Sequence, residues 1–276
     1  ALYKDILDNY DSMAAVIIKD MDAIKKEYGR KRRTAIENAE EAVYEEKKME
    51  EMEVCFLMDR FGYMKLIDKN AYERNKEAVH NENKYVFNCM NTDKICIFTD
   101  TGKMHTIKAV DIPLGRFRDK GTPVDNLSNY DSSQERMLYV APVGQLRSDR
   151  LLFVTKTSMC KLVEGAEFDV AKRTIASTKL ADGDELIFIG SASEMEQIVL
   201  QSHGGCFLRF LTQEVSTMKK TALGVRGMKL ADDDYLEHAY LLAGHQEYTI
   251  SYHDKEYALN KVRLAKRDTK GIKPRI

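Results

Sequence analysis

The chain changes its hydrophobic pattern near residue 54. Residues 1–28 contain neither Gly nor Pro and carry apolar side chains at steps of three and four, which predicts helix. Asp11 with Ser12 is a candidate start for a second helix, and Gly29 is a candidate left-handed residue that ends it. From residue 54 onward, short apolar segments bounded by turn residues predict β-strands. The helical stripe comprises Tyr3, Ile6, Tyr10, Met13, Ile17, Met21, Ile24 and Tyr28.

Two charged stretches separate these patterns. The cluster Arg30-Lys31-Arg32-Arg33 fits a phosphate-binding patch, a nuclear-import signal or a solvated helix end whose cations complement the helix dipole. Residues 37–53 hold eight Glu among Lys and Met, and they fit either an exposed helix or a charged edge strand. We predict a helical unit at residues 1–35 and a β unit at residues 36–276.

The β unit contains a repeat. Five apolar segments share the same sequel, because three residues after each one ends comes a tight-turn position that is Gly in three cases. A second strand follows each turn, more loosely in the last copy. The first strands are Cys55–Asp59, Ile95–Thr99, Leu151–Thr155, Ile198–Ser202 and Tyr248–Tyr252. The turn positions are Gly62, Gly102, Ser158, Gly205 and Lys255, and the second strands are Tyr63–Ile67, Lys103–Ile107, Met159–Val163, Cys206–Phe210 and Tyr257–Val262.

The turn positions recur at steps of 40, 56, 47 and 50 residues, the spacing of four-stranded blades rather than of helical solenoids. Residues 180–186 and 230–236 repeat one Asp-rich pattern, which we interpret as hairpin turns. One antiparallel blade cannot bury both of its faces alone, so several must stack radially. The sequence predicts a mainly β, propeller-like array of about five to six blades.

Composition narrows the class of protein. Hydrophobic residues make up 43% and charged residues 32%, as in globular proteins. No apolar stretch is long enough to span a membrane, and the first residues lack the charged-then-apolar pattern of a signal peptide. A soluble, unsecreted, cytoplasmic protein is therefore expected. Five cysteines without close spacing read as small buried hydrophobes in a reducing compartment. The net charge of −1 conceals −4 in residues 1–53 and +3 in residues 54–276.

Basic residues of the β unit are phased with the repeat. Some stand in or beside the second strand, others 12 to 16 residues past the turn, and others in Gly-bearing segments just beyond. In a radial array, equivalent positions predict a positive belt around the outside. The candidate DNA-binding residues are Lys65, Arg74, Arg116, Arg118, Lys120, Lys161, Lys172, Arg173, Arg209, Lys219, Lys220, Arg226, Lys229, Arg267 and Lys270.

The ligand that this belt fits is the phosphate backbone of duplex DNA, bent and bound without sequence preference. The alternative is that Lys and Arg only keep exposed strand edges soluble. A second function class is a propeller scaffold that binds proteins through its faces. An enzyme is disfavoured, because the six histidines show no metal-ligand spacing and no Ser or Cys partnership.

Three stretches together resemble one family, the C-terminal region of the A subunit of bacterial type IIA DNA topoisomerases. The family's helix end, with its glycine and basic pair, is similar to Glu27-Tyr-Gly-Arg-Lys-Arg-Arg-Thr-Ala-Ile36. Its first-blade turn is similar to Phe61-Gly-Tyr-Met-Lys65. Thr221-Ala-Leu-Gly-Val-Arg-Gly-Met-Lys-Leu230 is similar to a fourth-blade motif, and Ile112-Pro113, Lys120-Gly121 and Asn126-Leu127 match the second blade.

The resemblance implies the end of a coiled-coil arm followed by a β-pinwheel, a propeller variant whose blades exchange strands and whose rim bends DNA. It implies that this fragment is catalytically inert and holds no cofactor, because the tyrosine, arginine and magnesium site of the ATP-dependent enzyme lie outside it. The implied partners are the remainder of the A subunit, the ATPase B subunit, and double-stranded DNA, with no membrane partner and a nucleoid location.

Two departures from the family pattern matter. Gyrase A subunits carry a Gln-Arg-Arg-Gly-Gly-Lys-Gly box where this chain reads Arg74-Asn-Lys-Glu-Ala-Val-His80, which favours bending of a topoisomerase IV kind over the wrapping that supports supercoiling. A DNA gyrase A wrapping domain is the alternative. The fifth repeat is weak at residues 253–258, so the last blade is expected to be incomplete, completed by other strands or missing.

Overall fold

A computed structural model of the chain describes residues 2–34, 50–244 and 247–274. It divides into two compact units, Ala1–Met49 and Glu50–Ile276. The predicted boundary between residues 35 and 36 lies outside the described residues. So does most of the Glu-rich stretch, including the choice there between a helix and an edge strand.

The first unit is helical, with α1 at Leu2–Asp8 and α2 at Tyr10–Tyr28. Asn9 separates them, since its side chain accepts a hydrogen bond from the Asp11 backbone N–H and caps α2. The second helix therefore begins earlier than predicted. Gly29 does end α2, but in an extended rather than a left-handed conformation, at φ −63°. A Cβ there would lie 2.2 Å from the Lys25 carbonyl oxygen, so this position needs glycine for space.

The second unit is mainly β, as predicted, with short helices between its strands. The further α-helices are α3 Lys69–Arg74, α4 Lys76–Glu82, α5 Val124–Leu127 and α6 Val143–Leu146, and single 3₁₀ turns occupy Ala109–Asp111, Gly165–Phe168, Thr212–Glu214 and Leu259–Lys261. The strands are β1 Glu53–Asp59, β2 Tyr63–Asp68, β3 Asn83–Met90, β4 Lys94–Thr99, β5 Lys103–Lys108, β6 Thr122–Pro123, β7 Met137–Pro142, β8 Arg150–Thr155, β9 Met159–Glu164, β10 Thr174–Ala176, β11 Leu186–Ser191, β12 Gln197–Ser202, β13 Phe207–Leu211, β14 Val225–Arg226, β15 Leu236–Leu242, β16 Thr249–Tyr252 and β17 Lys255–Ala258.

These strands form five antiparallel sheets, which we number along the chain. Sheets 1, 2 and 3 have four strands each, in the orders β3-β1-β2-β6, β10-β5-β4-β7 and β11-β8-β9-β14. Sheet 4 has the order β13-β12-β15, and sheet 5 is the hairpin β16-β17. In the described residues, five sheets agree with the predicted number of five to six blades. Three of them have the predicted four strands, whereas sheet 4 has three and sheet 5 has two.

The sheets exchange strands along the chain. Strand β6 follows the hairpin of sheet 2 in sequence but pairs with β2 of sheet 1, and β10 and β14 likewise close sheets 2 and 3. Sheet 4 is closed in the same way by Ile272, whose backbone exchanges two 2.8 Å hydrogen bonds with Phe207. This exchange is the feature that the β-pinwheel prediction requires, and the fold prediction is confirmed.

The hydrophobic core lies between neighbouring sheets rather than inside one of them. Phe56 of sheet 1 and Ile97 of sheet 2 belong to one buried cluster, and Phe98 of sheet 2 and Phe153 of sheet 3 belong to the next. Further clusters join sheet 3 to sheet 4 and sheet 4 to sheet 5. The other face of sheet 1 is covered by α3 and α4, with Val79 fully buried.

Most predicted turns are present, but two predictions need correction. Gly62, Gly102, Ser158 and Gly205 all have positive φ, as tight turns require. In sheet 5 the positive-φ residues are His253 and Asp254, so the second strand starts at Lys255 instead of residue 257. The Asp-rich stretches are turns, but they are not the predicted hairpin turns, because each connects strands that belong to different sheets.

Cysteine burial agrees with the sequence. Cys55, Cys89, Cys96 and Cys160 are buried and Cys206 is partly buried, all with free thiols. Burial raises the pKa of the Cys160 thiol to about 12, so this group is an inert apolar filler. In residues 2–34, 50–244 and 247–274, no helix combines the length and hydropathy that crossing a membrane takes.

Candidate nucleic-acid interface

The strand order determines which edge of each sheet faces outward. Strands β3, β7, β11 and β15 lie beside one another from sheet to sheet, so these edges converge. The opposite edges, closed by the donated strands β6, β10 and β14 and by Ile272, therefore face outward. The chain reaches them through residues 112–123, 169–176, 215–226 and 262–273, which we call the crossing segments.

Three crossing segments follow the same path. Each begins after a 3₁₀ turn and forms a parallel bridge with the second strand of the preceding sheet, as Leu114 does with Leu66. It then turns outward and returns as the antiparallel closing strand. The exposed turns are residues 116–120, 219–223 and 266–270, which we call the rim loops. Parallel bridges also join Thr217 to Leu162 and Leu264 to Arg209.

A glycine closes each rim loop, and here glycine is required. Gly121, Gly224 and Gly271 have φ of +82°, +107° and +71°. In addition, a Cβ at each would collide with a backbone carbonyl oxygen of the neighbouring strand. The Cβ–O distances would be 2.5 Å from Gly121 to Met64, 2.7 Å from Gly224 to Cys160 and 2.8 Å from Gly271 to Phe207.

Lys161 does not lie on the surface, so it is removed from the candidate DNA contacts. It is 1% exposed, and its ammonium donates to the carbonyl oxygens of Lys220 and Ala222, at 2.8 and 2.7 Å. Burial lowers its pKa to about 8. The alternation of strand β9 turns this position inward, where a lysine is accommodated because the second rim loop supplies acceptors.

Lys65 has the same role in sheet 1. It is half-buried, and its ammonium donates to the carbonyl oxygens of Phe117 and Asp119 in the first rim loop. It also lies 5.4 Å from the centre of the Phe117 ring. Burial lowers its pKa despite the nearby carboxylate of Asp119. Lys65 and Lys161 thus hold the rim loops in place from beneath.

Three further candidates are partly buried and engaged with protein groups. Arg209 donates from Nε to Gln197 Oε1 at 2.7 Å and from Nη1 to the carbonyls of Asn260 and Val262. The Lys220 ammonium donates to the Glu167 carbonyl at 3.0 Å. Arg267 donates from Nε to the Glu214 carbonyl and from Nη1 to that of Arg226. These cations contribute charge near the rim while their donors are largely committed.

The remaining ten candidates are exposed, and most lie on crossing segments or directly after them. Near the first rim loop, a cleft of about 630 Å³ is lined by Tyr63, Lys65, Arg118 and Lys120 among others. The Lys120 ammonium lies 4.3 Å from the centre of the Tyr63 ring, which orients it at the edge of sheet 1. The exposed candidates are Arg74, Arg116, Arg118, Lys120, Lys172, Arg173, Lys219, Arg226, Lys229 and Lys270.

Arg74 stands apart from the rim loops. It ends helix α3, and its Nε donates to the Asn70 carbonyl at 3.1 Å. Residues 74–80 are helical apart from Asn75 and pack on sheet 1, where Val79 is 0% exposed.

One rim cation is missing from the set that the sequence predicts. Lys266 is exposed at the start of the third rim loop, in the place that Arg116 and Lys219 occupy in the first two. The signal that locates it is the constant length of the three segments, twelve residues each, which aligns Val262 with Ile112 and Val215.

The comparisons with known proteins agree with this geometry. The family model "DNA gyrase C-terminal domain, beta-propeller" matches residues 93–132, 149–193 and 196–243. The DNA gyrase A subunit of Ureaplasma parvum is 25% identical over 98% of this chain and 34% of that protein. That of Clostridium acetobutylicum is 29% identical over 81% of this chain and 28% of that protein. The chain thus spans about a third of the length of these relatives.

Solved structures show the same fold. The C-terminal domain of DNA topoisomerase IV superposes with a TM-score of 0.72 at 22% identity, covering 81% of this chain and 72% of that one. The DNA gyrase A C-terminal domain gives a TM-score of 0.53 at 18% identity, covering 80% and 76%. The predicted resemblance to the C-terminal region of type IIA topoisomerase A subunits is confirmed.

Proposed function

We propose that this chain, whose repeats match the DNA gyrase C-terminal β-propeller family, binds and bends duplex DNA as the C-terminal region of a type IIA topoisomerase A subunit. The observation that carries the proposal is the recurrence of the rim loops. Three crossing segments of equal length place exposed cations at equivalent outward positions, such as Arg116, Lys219 and Lys266. A duplex that follows the outward edges meets this arrangement at sheets 1, 3 and 4, with Lys172 and Arg173 exposed beside sheet 2.

The binding is independent of base sequence. Lys and Arg on exposed loops reach phosphate oxygens, which fix the position of a duplex but carry no sequence information. Each neutralised phosphate releases counterions, so affinity falls steeply with salt. The curvature of the outward edges converts these contacts into bending, whose cost the additional contacts offset.

The catalytic steps are assigned to the remainder of the protein. Because the chain spans about a third of its curated relatives, we place the DNA-cleaving tyrosine, the magnesium site and the ATPase in the B subunit or in the rest of the A subunit. In this proposal the fragment presents DNA to that core, in the cytoplasm at the nucleoid. It takes no cofactor and no membrane partner.

A finer proposal concerns the kind of bending. Helices α3 and α4 fold over sheet 1 where gyrase A subunits carry their glycine-rich basic box, and they offer Glu73 and Glu77 beside Arg74. A helical, charge-balanced segment supplies no extra basic loop to extend the DNA path. We therefore propose bending of a topoisomerase IV kind, with a gyrase-like wrapping domain as the alternative.

Two assays test the two levels of the proposal. Retention of linear duplex on filters in dilute buffer tests DNA binding, and ligation of a nicked circular plasmid in the presence of saturating chain tests wrapping. Bending without wrapping predicts retention of the linear duplex, together with little or no change in the topoisomer distribution of the plasmid. A strong positive shift would overturn the topoisomerase IV preference in favour of gyrase-like wrapping. Absence of retention would overturn DNA binding and leave the protein-binding scaffold.

A further inference from the structure

The rim cations differ in their acidic neighbours. In the third rim loop, the Asp268 carboxylate accepts two hydrogen bonds from the Arg226 guanidinium, one at Oδ1 from Nε and one of 3.0 Å at Oδ2 from Nη2. A bidentate pair of this geometry is among the stronger hydrogen-bonded ion pairs. Arg226 lies on β14, the strand that closes sheet 3, so the pair joins two crossing segments that are 42 residues apart in sequence.

Nearby cations stabilise the ionised form of the Asp268 carboxylate. Its pKa is lowered first by the hydrogen bond from Arg226 and further by the charges of Arg226, Arg267 and Lys229. Arg226 contacts this carboxylate directly through its two hydrogen bonds, whereas the Arg267 side chain donates to backbone carbonyls.

A weaker arrangement of the same kind occurs at the second rim loop. Glu167 lies 3.4 Å from the Lys219 ammonium through Oε1, and its Oε2 accepts the Lys220 backbone N–H at 3.1 Å. The first rim loop differs. Its own carboxylate, Asp119, accepts the Arg116 backbone N–H at 2.7 Å. In the part of the chain that the structure describes, Arg116, Arg118 and Lys120 have no ion-pair partner, and neither do Lys172 and Arg173.

We propose that Asp268 is a built-in competitor for phosphate that withholds Arg226 from DNA. The inference rests on the proposed function and refines it. The unpaired cations of the first two crossing segments provide the main grip, and the segment that closes sheet 3 provides a weaker one because carboxylates pair with its Lys219 and Arg226. Binding of the duplex at Arg226 requires that Asp268 be displaced, so the acid sets how far along the rim DNA is held.

Asp268→Asn is a clean probe of this competition. Asp268 has φ +65°, a conformation that Asn adopts readily, so the substitution removes the charge without straining the backbone. The matched control is Asp233→Asn, because Asp233 is also exposed with φ +64° and lies in the Asp-rich turn at residues 230–236. Both variants change net charge by the same amount.

The experiment measures binding of the full chain to a linear duplex across a salt series. One additional phosphate contact predicts that Asp268→Asn steepens the log–log salt slope by about 0.9 and raises affinity by up to about eightfold in 0.1 M salt. Asp233→Asn should match the unaltered chain. In an Arg226→Gln background, Asp268→Asn should have no effect, because the released cation is absent.

The outcomes separate this inference from the proposed function. An unchanged slope for Asp268→Asn in a chain that binds DNA overturns the competition alone. A gain that persists in the Arg226→Gln background also overturns it, because the acid would then act only through net charge. Failure of the unaltered chain to bind duplex in dilute buffer overturns the proposed function itself.

Discussion

The ammonium of Lys161 lies 2.7 Å from the carbonyl oxygen of Ala222, and this hydrogen bond ties strand β9 to the second rim loop. The basic residues that recur with the repeat thus serve two purposes. One set lies under the rim loops and holds their backbone, and the other stands at their tips. The second set is available to a ligand, together with exposed cations such as Lys172 and Arg173 elsewhere on the crossing segments.

Lys161→Met removes the buried ammonium while keeping most of the volume of the side chain. The Ala222 carbonyl loses its charged donor, so we expect a loss of about 1–3 kcal/mol in the free energy of unfolding, measured in urea. Lys172→Met is the control, because Lys172 is exposed, and it should change stability by less than about 0.5 kcal/mol. Equal effects of the two variants would contradict the supporting role of Lys161.

The stability difference between the unaltered chain and Lys161→Met should also depend on pH. Burial lowers the pKa of Lys161 to about 8 in the folded state, below its ordinary value of 10.5. Between these values the unfolded chain binds more protons than the folded chain, so this lysine makes stability rise with pH in that window. The stability difference between the unaltered chain and Lys161→Met should therefore widen from pH 8 to pH 10.5. A difference that narrows would contradict the assignment.

Gly224→Ala tests the closure of the rim loops. A methyl group there would meet the Cys160 carbonyl oxygen at 2.7 Å with φ at +107°, so the loss should exceed the 1–2 kcal/mol or so of an ordinary left-handed residue. Gly183→Ala is the matched control. Gly183 also has positive φ, but no atom lies within 4 Å of the added Cβ. Thermal unfolding of the two variants separates crowding from conformation, and equal losses would exclude crowding.

Glu135→Gln tests a buried carboxylate that is hydrogen-bonded to His105 and Lys103 of sheet 2. Burial opposes ionisation of Glu135, but hydrogen bonds from His105 and Lys103 outweigh it and lower its pKa from 4.5 to about 2. The resulting stability is present above pH 4.5 and is lost as pH falls toward 2. At neutral pH we expect the variant to be less stable by about 1–3 kcal/mol.

Denaturant unfolding between about pH 7 and about pH 2.5 follows this difference, which should shrink on acidification. Glu185→Gln is the control, because Glu185 pairs with Lys156 where both side chains are partly exposed, at 44% and 40%. A difference that stays constant across the pH range would show that Glu135 is not ionised in the folded protein.

Neutralising the first rim loop tests the main grip on DNA. The triple variant Arg116→Gln, Arg118→Gln, Lys120→Gln removes three unpaired cations, so the log–log salt slope for duplex binding should fall by about 2.7. The loss should be the same for unrelated duplex sequences. Lys255→Gln, on the last hairpin outside the crossing segments, should leave the slope unchanged. A slope that responds equally to both variants would contradict the location of the interface.

Much of the fold follows from local pattern. The tight turns at Gly62 and Gly102 and the strands beside them are predictable because alternation and turn chemistry act within a few residues. The fifth repeat is misaligned by sequence because its hairpin uses the two residues His253 and Asp254 instead of a glycine turn. The weak fifth repeat predicts an incomplete last blade, and sheet 5 has two strands in the described residues. The pairing of Ile272 with sheet 4 is a long-range contact that local pattern does not encode.

The candidate site is predictable in outline for the same reason. The rim positions can be found because the crossing segments repeat, but exposure cannot be distinguished from burial at Lys161. Its acceptors lie 59 and 61 residues away in sequence. The pairing of Arg226 with Asp268 is likewise a contact between two different repeats. Periodicity locates a cation along the chain, whereas long-range contacts decide what it binds.

The borrowed closing strands limit how this molecule can be shortened. Removing the final hairpin together with the segment that follows it would leave the backbone N–H and C=O of Phe207 without partners, as well as deleting a sheet. Every truncation between sheets thus damages the module before it. Gain or loss of a repeat must therefore include the closing strand that the repeat receives from the chain of its neighbour. The five sheets are expected to unfold together in a single cooperative transition.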